Sequence, residues 1–284
     1  MSAVLVDDAV ALAGGRALAY REWGEPAGTP VLLLHGIPGS RAWCPDPEAT
    51  AAAGVRLVTF DRPGYGGSDP SERVDVGDLV GDVEILLDAR GIDRVGIVGF
   101  SGGGPFAAAL AHGLPQRVRA LALVNAPGPL EEVEGGVEAL RGRQGATARV
   151  APRDPAKAHR AVLRFAEAFL SDPVSYLRFQ DGPDADVVGD PAVRAALEEE
   201  IRVAWSRSVD GYARDLVARW RPWGFRLAEV VVPTTVFRGA HDRHNEADAR
   251  AFAERIPGAR LVVWPDAGHY GIVPRFGEVL AAVT

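Results

Sequence analysis

The chain holds one cysteine, Cys44, one lysine, Lys157, and one methionine, the first residue. A single thiol excludes an intrachain disulfide and a thiolate metal site. Long apolar runs are missing too: none approaches the roughly 18 residues of a membrane span. The stretch Met1 to Asp8 has no basic segment ahead of an apolar one, as a secretory signal would have. Positive charge is scarce, with 31 basic against 38 acidic residues and a net charge of −7. That balance makes nucleic acid and anionic membranes poor general partners. No internal repeat recurs. The expectation is a cytoplasmic protein, monomer or homodimer, whose partner is a small-molecule substrate.

The 284 residues, 47% hydrophobic and 24% charged, suffice for one large α/β domain or two small ones. Four apolar runs punctuate the first 127 residues: Val31–Leu34, Arg56–Phe60, Val95–Gly99 and Ala120–Val124. Runs of four to six residues bounded by Gly and Pro fit strands buried on both faces, as in a parallel sheet. Between them, Val76, Leu79, Val80, Val83, Leu86 and Leu87 recur at helical spacing, and Phe106 to Ala111 is rich in helix formers. Strand–helix alternation points to a sheet covered by helices on both faces. The strand pattern returns at Pro233–Phe237 and Arg260–Trp264, and a helical tail spans Phe276 to Val283.

From Pro127 to Trp223 no strand run appears. Glu131 to Arg153 is Gly- and charge-rich and reads as a loop or linker. Asp154-Pro155, Asp172-Pro173 and Asp190-Pro191 each match a helix start, with Asp as cap and Pro in the first turn. The expected organisation is a core of residues 1–127 and 224–284 and a helical cap of residues 128–223.

Gly99-Phe100-Ser101-Gly102-Gly103 directly follows a strand run and precedes a helix pattern. A serine on such a sharp turn is pushed out above the sheet, and the flanking glycines leave room for the turn. Its hydroxyl is a weak nucleophile that needs a base, and the base needs an orienting acid. His269 lies just past the last strand run and is the best base. His112 and His159 fall inside helix patterns and read as surface residues. Asp242, immediately after the Thr234–Phe237 run, is the preferred acid. Asp266, three residues before His269, suits a local turn, and Asp61 suits pairing with Arg62 or capping of backbone N–H groups. His241 and His244 in one polar loop are too weak a pattern for a metal site. Two N–H donors are required for an oxyanion: Gly102 follows the nucleophile, and Ile37 lies in the loop His35-Gly36-Ile37-Pro38-Gly39-Ser40, where Pro38 has no N–H.

Together with Asp61-Arg62-Pro63-Gly64-Tyr65-Gly66-Gly67-Ser68, Gly239-Ala240-His241-Asp242 and Gly268-His269, these motifs resemble the α/β-hydrolase superfamily, in its order and across almost the whole core. The resemblance implies a mostly parallel central sheet with helices on both faces and an inserted helical cap. It implies Ser101 as nucleophile, Asp242 as acid, His269 as base, and Ile37 and Gly102 as oxyanion donors. Within the superfamily the chain is similar to the small cytosolic branch with an H-G-x-P loop, which includes carboxylesterases, lactonases, C–C bond hydrolases, perhydrolases and iminopeptidases. Family members acting on haloalkanes and epoxides carry Asp at the elbow, where this chain has Ser101.

Trp43 and Cys44 follow the oxyanion loop and Phe100 neighbours Ser101, so these are candidates to line the acyl side. Trp205, Tyr212, Trp220 and Trp223 in the cap serve either a substrate pocket or the packing of cap on core. Glu131, Glu132, Glu134 and Glu198 to Glu200 suit a solvated loop and helix face better than an amine-binding cluster. Neither metal nor organic cofactor is implied. The expected activity is hydrolysis of small, fairly apolar carboxylic esters or lactones. The alternatives are C–C bond hydrolysis or amide hydrolysis with the same three residues, or a non-catalytic binding protein of this fold.

Overall fold

Alternation along each apolar run divides its side chains between two layers, and this is what makes the runs strands. In β3 (Thr29–Leu34), Val31 and Leu33 enter one apolar layer while Leu32 and Leu34 enter the other. The same division holds in β4 (Val55–Phe60), β5 (Val95–Phe100) and β6 (Val118–Val124). The computed structural model describes residues 4–73, 75–242 and 246–284. It adds β1 (Val4–Ala11) and β2 (Ala17–Gly24) before these, and β7 (Thr234–Gly239) and β8 (Arg260–Trp264) after them. The order across the sheet is β1-β2-β4-β3-β5-β6-β7-β8. β1–β2 and β2–β4 pair antiparallel, and every other pairing is parallel. β1 and β2 lack a sequence signal for a physical reason: β1 is an edge strand, mostly exposed, and carries no continuous apolar run.

Helix α1 (Pro47–Ala52) follows β3. One face of the sheet is covered by α2 (Leu79–Ala89), α3 (Gly104–Gly113) and, from the end of the chain, α10 (Glu246–Arg255). The other face is covered by α11 (Phe276–Ala281), through Phe276, Val279 and Leu280.

Between β6 and β7 the chain leaves the sheet to form α4 (Gly136–Ala139), α5 (Gly142–Ala148), α6 (Pro155–Ala166), α7 (Gly182–Gly189), α8 (Pro191–Ala204) and α9 (Asp210–Trp220). Asp154 caps α6 by accepting from the Lys157 N–H, and Asp190 caps α8 by accepting from the Ala192 and Val193 N–H groups. Asp172 departs from the pattern: its carboxylate pairs with Arg178, and no α-helix starts there. The segment expected as a loop contains α4 and α5 instead. Glycine hides these helices from propensity reasoning, and tertiary packing supplies what propensity lacks: Ala148 and Ala151 bury against Val162, Val217 and Trp220. The two helical histidines are half-buried rather than surface residues. His112 stacks on Phe225 at 4.6 Å between centroids, and His159 Nε2 lies 3.0 Å from an Asp210 oxygen. Among the described residues no helix is long and apolar enough to cross a membrane.

Candidate active site

Ser101 sits at the C-terminal end of β5, one of the central strands, at the start of the turn into α3. Its φ is +49°, a left-handed backbone conformation that costs a non-glycine residue about 1 kcal/mol or more. The glycines around it are demanded by close approach. A Cβ on Gly99 would lie 2.6 Å from the Ala107 Cβ, and one on Gly103 would lie 2.6 Å from the His35 carbonyl oxygen. The elbow is therefore pressed between α3 and the loop after β3.

That loop packs directly on the serine turn. A Cβ on Gly36 would lie 3.5 Å from Ser101 Cβ, and a Cβ on Gly102 would lie 2.8 Å from Ile37 Cβ. Residues 37 and 102 are thus brought together, and the Ile37–Pro38 peptide bond is cis. Buried groups hold the loop in place. His35 Nδ1 donates to the Gly36 carbonyl at 2.8 Å while its Nε2 accepts from the Arg62 N–H, which assigns the neutral ring. Burial, and then the Arg62 charge, hold its pKa well below the usual imidazole value. Arg62 is completely buried and donates to the His35 carbonyl at 2.6 Å and the Gly36 carbonyl at 2.9 Å. Its charge is met by Asp215 of α9 at 2.7 Å. Asp61 does not pair with Arg62. It accepts from the backbone N–H groups of Arg41 and Gly67 and from the Arg41 guanidinium.

Asp242 follows β7 and is buried, and His269 follows β8 at the head of a one-turn helix, His269–Ile272. The sheet makes β7 and β8 parallel neighbours, so the two loops leave it side by side. His269 Nδ1 meets Asp242 Oδ2 at 2.7 Å, which leaves Nε2 as the outward ring nitrogen. Asn125, at the end of β6 with a φ of +48°, ties these loops together. Its Nδ2 donates to the His269 carbonyl at 2.8 Å, and its Oδ1 accepts from the Gly239 N–H at 2.9 Å. Phe100, next to Ser101, packs on the His269 ring at 5.1 Å between centroids. Among the described residues no hydrogen bond of 3.5 Å or less joins Ser101 Oγ to the imidazole. His244 lies outside the described residues.

Of the remaining predicted residues, Trp43 packs on Phe100 at 5.1 Å; Tyr270, which the sequence did not single out, lies 6.2 Å from the same ring. Leu177, Val188 and Leu197 of the insertion join this cluster, so the walls near Phe100 are apolar. Cys44 is buried, and burial pushes its thiol up to about 12. Trp205 and Tyr212 contact each other and pack with Tyr65, Ile201 and Val209, where α8 and α9 meet the core loops.

Three insertion residues at the site carried no readable signal as such. Glu200, expected on a solvated helix face, is buried, and its side chain accepts from the Ser40 N–H at 3.3 Å. Burial drives its pKa well above the ordinary carboxyl value. Asp215 holds Arg62, as above. Asp184 of α7 accepts from the backbone N–H groups of His269, at 2.8 Å, and Tyr270, at 2.7 Å. Sequence separations of 160, 153 and 85 residues hide all three contacts.

Known proteins carry the same architecture. The family described as alpha/beta hydrolase fold matches residues 29–275. A 2-hydroxy-6-oxononadienedioate/2-hydroxy-6-oxononatrienedioate hydrolase of Pseudomonas putida is 30% identical over 275 residues, spanning 89% of this chain and 85% of that protein. Among solved structures, a hydrolase from Pseudomonas aeruginosa PA01 superposes with a TM-score of 0.74 at 25% identity, covering 98% of this chain and 97% of its own. An enol-lactonase from Burkholderia xenovorans LB400 gives a TM-score of 0.64 at 24% identity over 96% of this chain and 98% of that one, a likeness of fold.

Proposed function

The chain belongs to the α/β-hydrolase family, and from that premise we propose that it is a serine hydrolase of small, fairly apolar carboxylic esters or lactones, working through an acyl-enzyme. The observation that carries this reading is the 2.7 Å contact of His269 Nδ1 with Asp242 Oδ2, beside a serine on a left-handed turn. Ser101 Oγ attacks the acyl carbon and gives its proton to His269 Nε2. Asp242 accepts the Nδ1–H bond, fixes the tautomer and stabilises the imidazolium. The N–H groups of Ile37 and Gly102 receive the oxyanion. The leaving alkoxide takes the proton from Nε2, and the acyl group remains on Oγ. Water then attacks the ester, losing its proton to Nε2. Collapse returns that proton to Oγ and frees the acid. The helical insertion acts as the cap of this site, and the apolar cluster of Trp43, Phe100, Leu177, Val188 and Leu197 supports a preference for apolar acyl groups.

A second reading, hydrolytic C–C cleavage with the same residues, is favoured by the Pseudomonas putida relative, whose name is that of a dienedioate hydrolase. One experiment separates the two. The protein is treated with a fluorophosphonate, the adduct is located by mass spectrometry, and turnover is measured on p-nitrophenyl esters, a lactone and a 2-hydroxy-6-oxodienoate. Adduct at Ser101 with ester or lactone turnover is the expected result. Adduct with dienoate turnover alone replaces the ester reading by the second. No adduct at Ser101 removes both.

A further inference from the structure

His269 is held at three points by three different parts of the chain. Its ring nitrogen Nδ1 meets Asp242 from the loop after β7, its carbonyl accepts from Asn125 at the end of β6, and its own N–H donates to Asp184 of the cap. The first two come from the sheet. The third does not.

The one-turn helix His269–Ile272 begins with N–H groups that its own backbone leaves unbonded, as every helix start does. An N-cap side chain normally accepts them, but here the N-cap is Gly268. The carboxylate of Asp184 takes that place from a distant element, with Oδ2 on the His269 N–H and Oδ1 on the Tyr270 N–H. A side chain at 268 would exclude it, since a Cβ there would lie 2.5 Å from the Asp184 carboxyl carbon. Both oxygens of an ionised carboxylate on two adjacent N–H groups make short, strong and directional bonds. The junction is open to water along a cleft lined by Pro183, Asp186, Asp266 and Arg275, so these bonds are not merely the by-product of a sealed apolar interface.

We propose that Asp184 is a positioning residue for His269: a carboxylate on cap helix α7 that seats the histidine turn over the sheet, so that the base is in register only while the cap is docked. The inference rests on the reading of His269 as the general base. Asp184 touches no reacting atom. It acts by fixing the backbone from which the imidazole swings, and a displacement of about 1 Å at a reacting group can cost a hundredfold in rate. It also places a negative charge on the amide of the residue whose ring must become cationic. Among the described residues, Asp242 is in direct contact with that ring, and Asp266, three residues earlier in the chain, is paired with Arg275.

The test compares Asp184→Ala and Asp184→Asn with the unaltered protein and Ser101→Ala. Steady-state kinetics on the best ester, with kcat and KM resolved separately, and hydrogen exchange of the segment 268–272 are the readouts. Asp184→Ala is expected to lower kcat about tenfold to a hundredfold with KM unchanged, and to speed exchange in 268–272 while unfolding stays cooperative. Asp184→Asn keeps one acceptor oxygen and falls between the two. A loss of packing alone moves KM and the unfolding midpoint together with kcat. Variants matching the unaltered protein in kcat and in exchange overturn the proposal. An unaltered protein that takes no label at Ser101, and loses no turnover in Ser101→Ala, removes the catalytic reading and the positioning role with it.

Discussion

Arg62 and Asp215 meet across the seam between the sheet and the helical insertion, with Arg62 Nε donating to Asp215 Oδ2 at 2.7 Å and neither side chain reaching more than 7% exposure. Arg62 also holds the carbonyls of His35 and Gly36. One buried ion pair therefore joins the insertion to the loop that carries Ile37. Removing one partner of a buried pair leaves an uncompensated charge, so Asp215→Ala is expected to cost about 3–5 kcal/mol in urea unfolding. In the folded fraction its kcat falls too, because the His35–Gly36 backbone loses a fixed donor.

Asp242 and Asp266, the two acids weighed as partner of the histidine ring, have different surroundings. Asp242 is buried on the ring nitrogen, whereas Asp266 is exposed and paired with Arg275. Asp242→Asn is expected to lower kcat by roughly 10³–10⁴-fold with little change in thermal unfolding. Asp266→Asn leaves kcat at the original value. The reverse outcome in the same ester assay reassigns the acid.

Gly102 has no space for a side chain, because the Ile37 side chain occupies it. Gly102→Ala is expected to push the Ile37 loop away from the serine turn. On the proposed reading the Ile37 and Gly102 N–H groups then no longer converge, and loss of an oxyanion donor costs about 10²–10³-fold in kcat. Pre-steady-state acylation by a p-nitrophenyl ester reads the loss directly, and far-ultraviolet circular dichroism confirms the fold.

Glu200 links stability to pH. Burial raises its pKa in the folded state above its unfolded value, so its contribution is fully present below the unfolded pKa and is lost as pH rises through the folded one. Glu200→Gln keeps an acceptor for the Ser40 N–H and cannot ionise. The variant is expected to gain stability relative to the unaltered protein as pH rises above the ordinary glutamate range, and to gain nothing below it. Urea midpoints measured across that range decide the matter, and equal pH slopes would falsify the assignment.

Much of this arrangement is legible in the chain itself. Val31–Leu34 and Val95–Gly99 stand out because a strand covered on both faces must be apolar at every position. The elbow glycines stand out because the turn at Ser101 has no room at 99 and 103. Asp242 and His269 are readable because each directly follows a strand run. β1 escapes because an edge strand half in water has no such run. Glu200 looks like a solvated neighbour of Glu198 and Glu199 until α8 is laid against the Ser40 loop.

The order of polar and apolar residues along the chain by itself determined a covered parallel sheet, a serine at one of its central strand ends, and an acid and a histidine at two later ends. Those features follow from local periodicity and from chain order, which need no knowledge of distant neighbours. Only the tertiary structure decided which carboxylates brace the site. Asp184, Glu200 and Asp215 act on partners 85, 160 and 153 residues away, and a carboxylate has no local pattern that names its partner. Burial and distance choose that partner, and both exist only once the chain is folded.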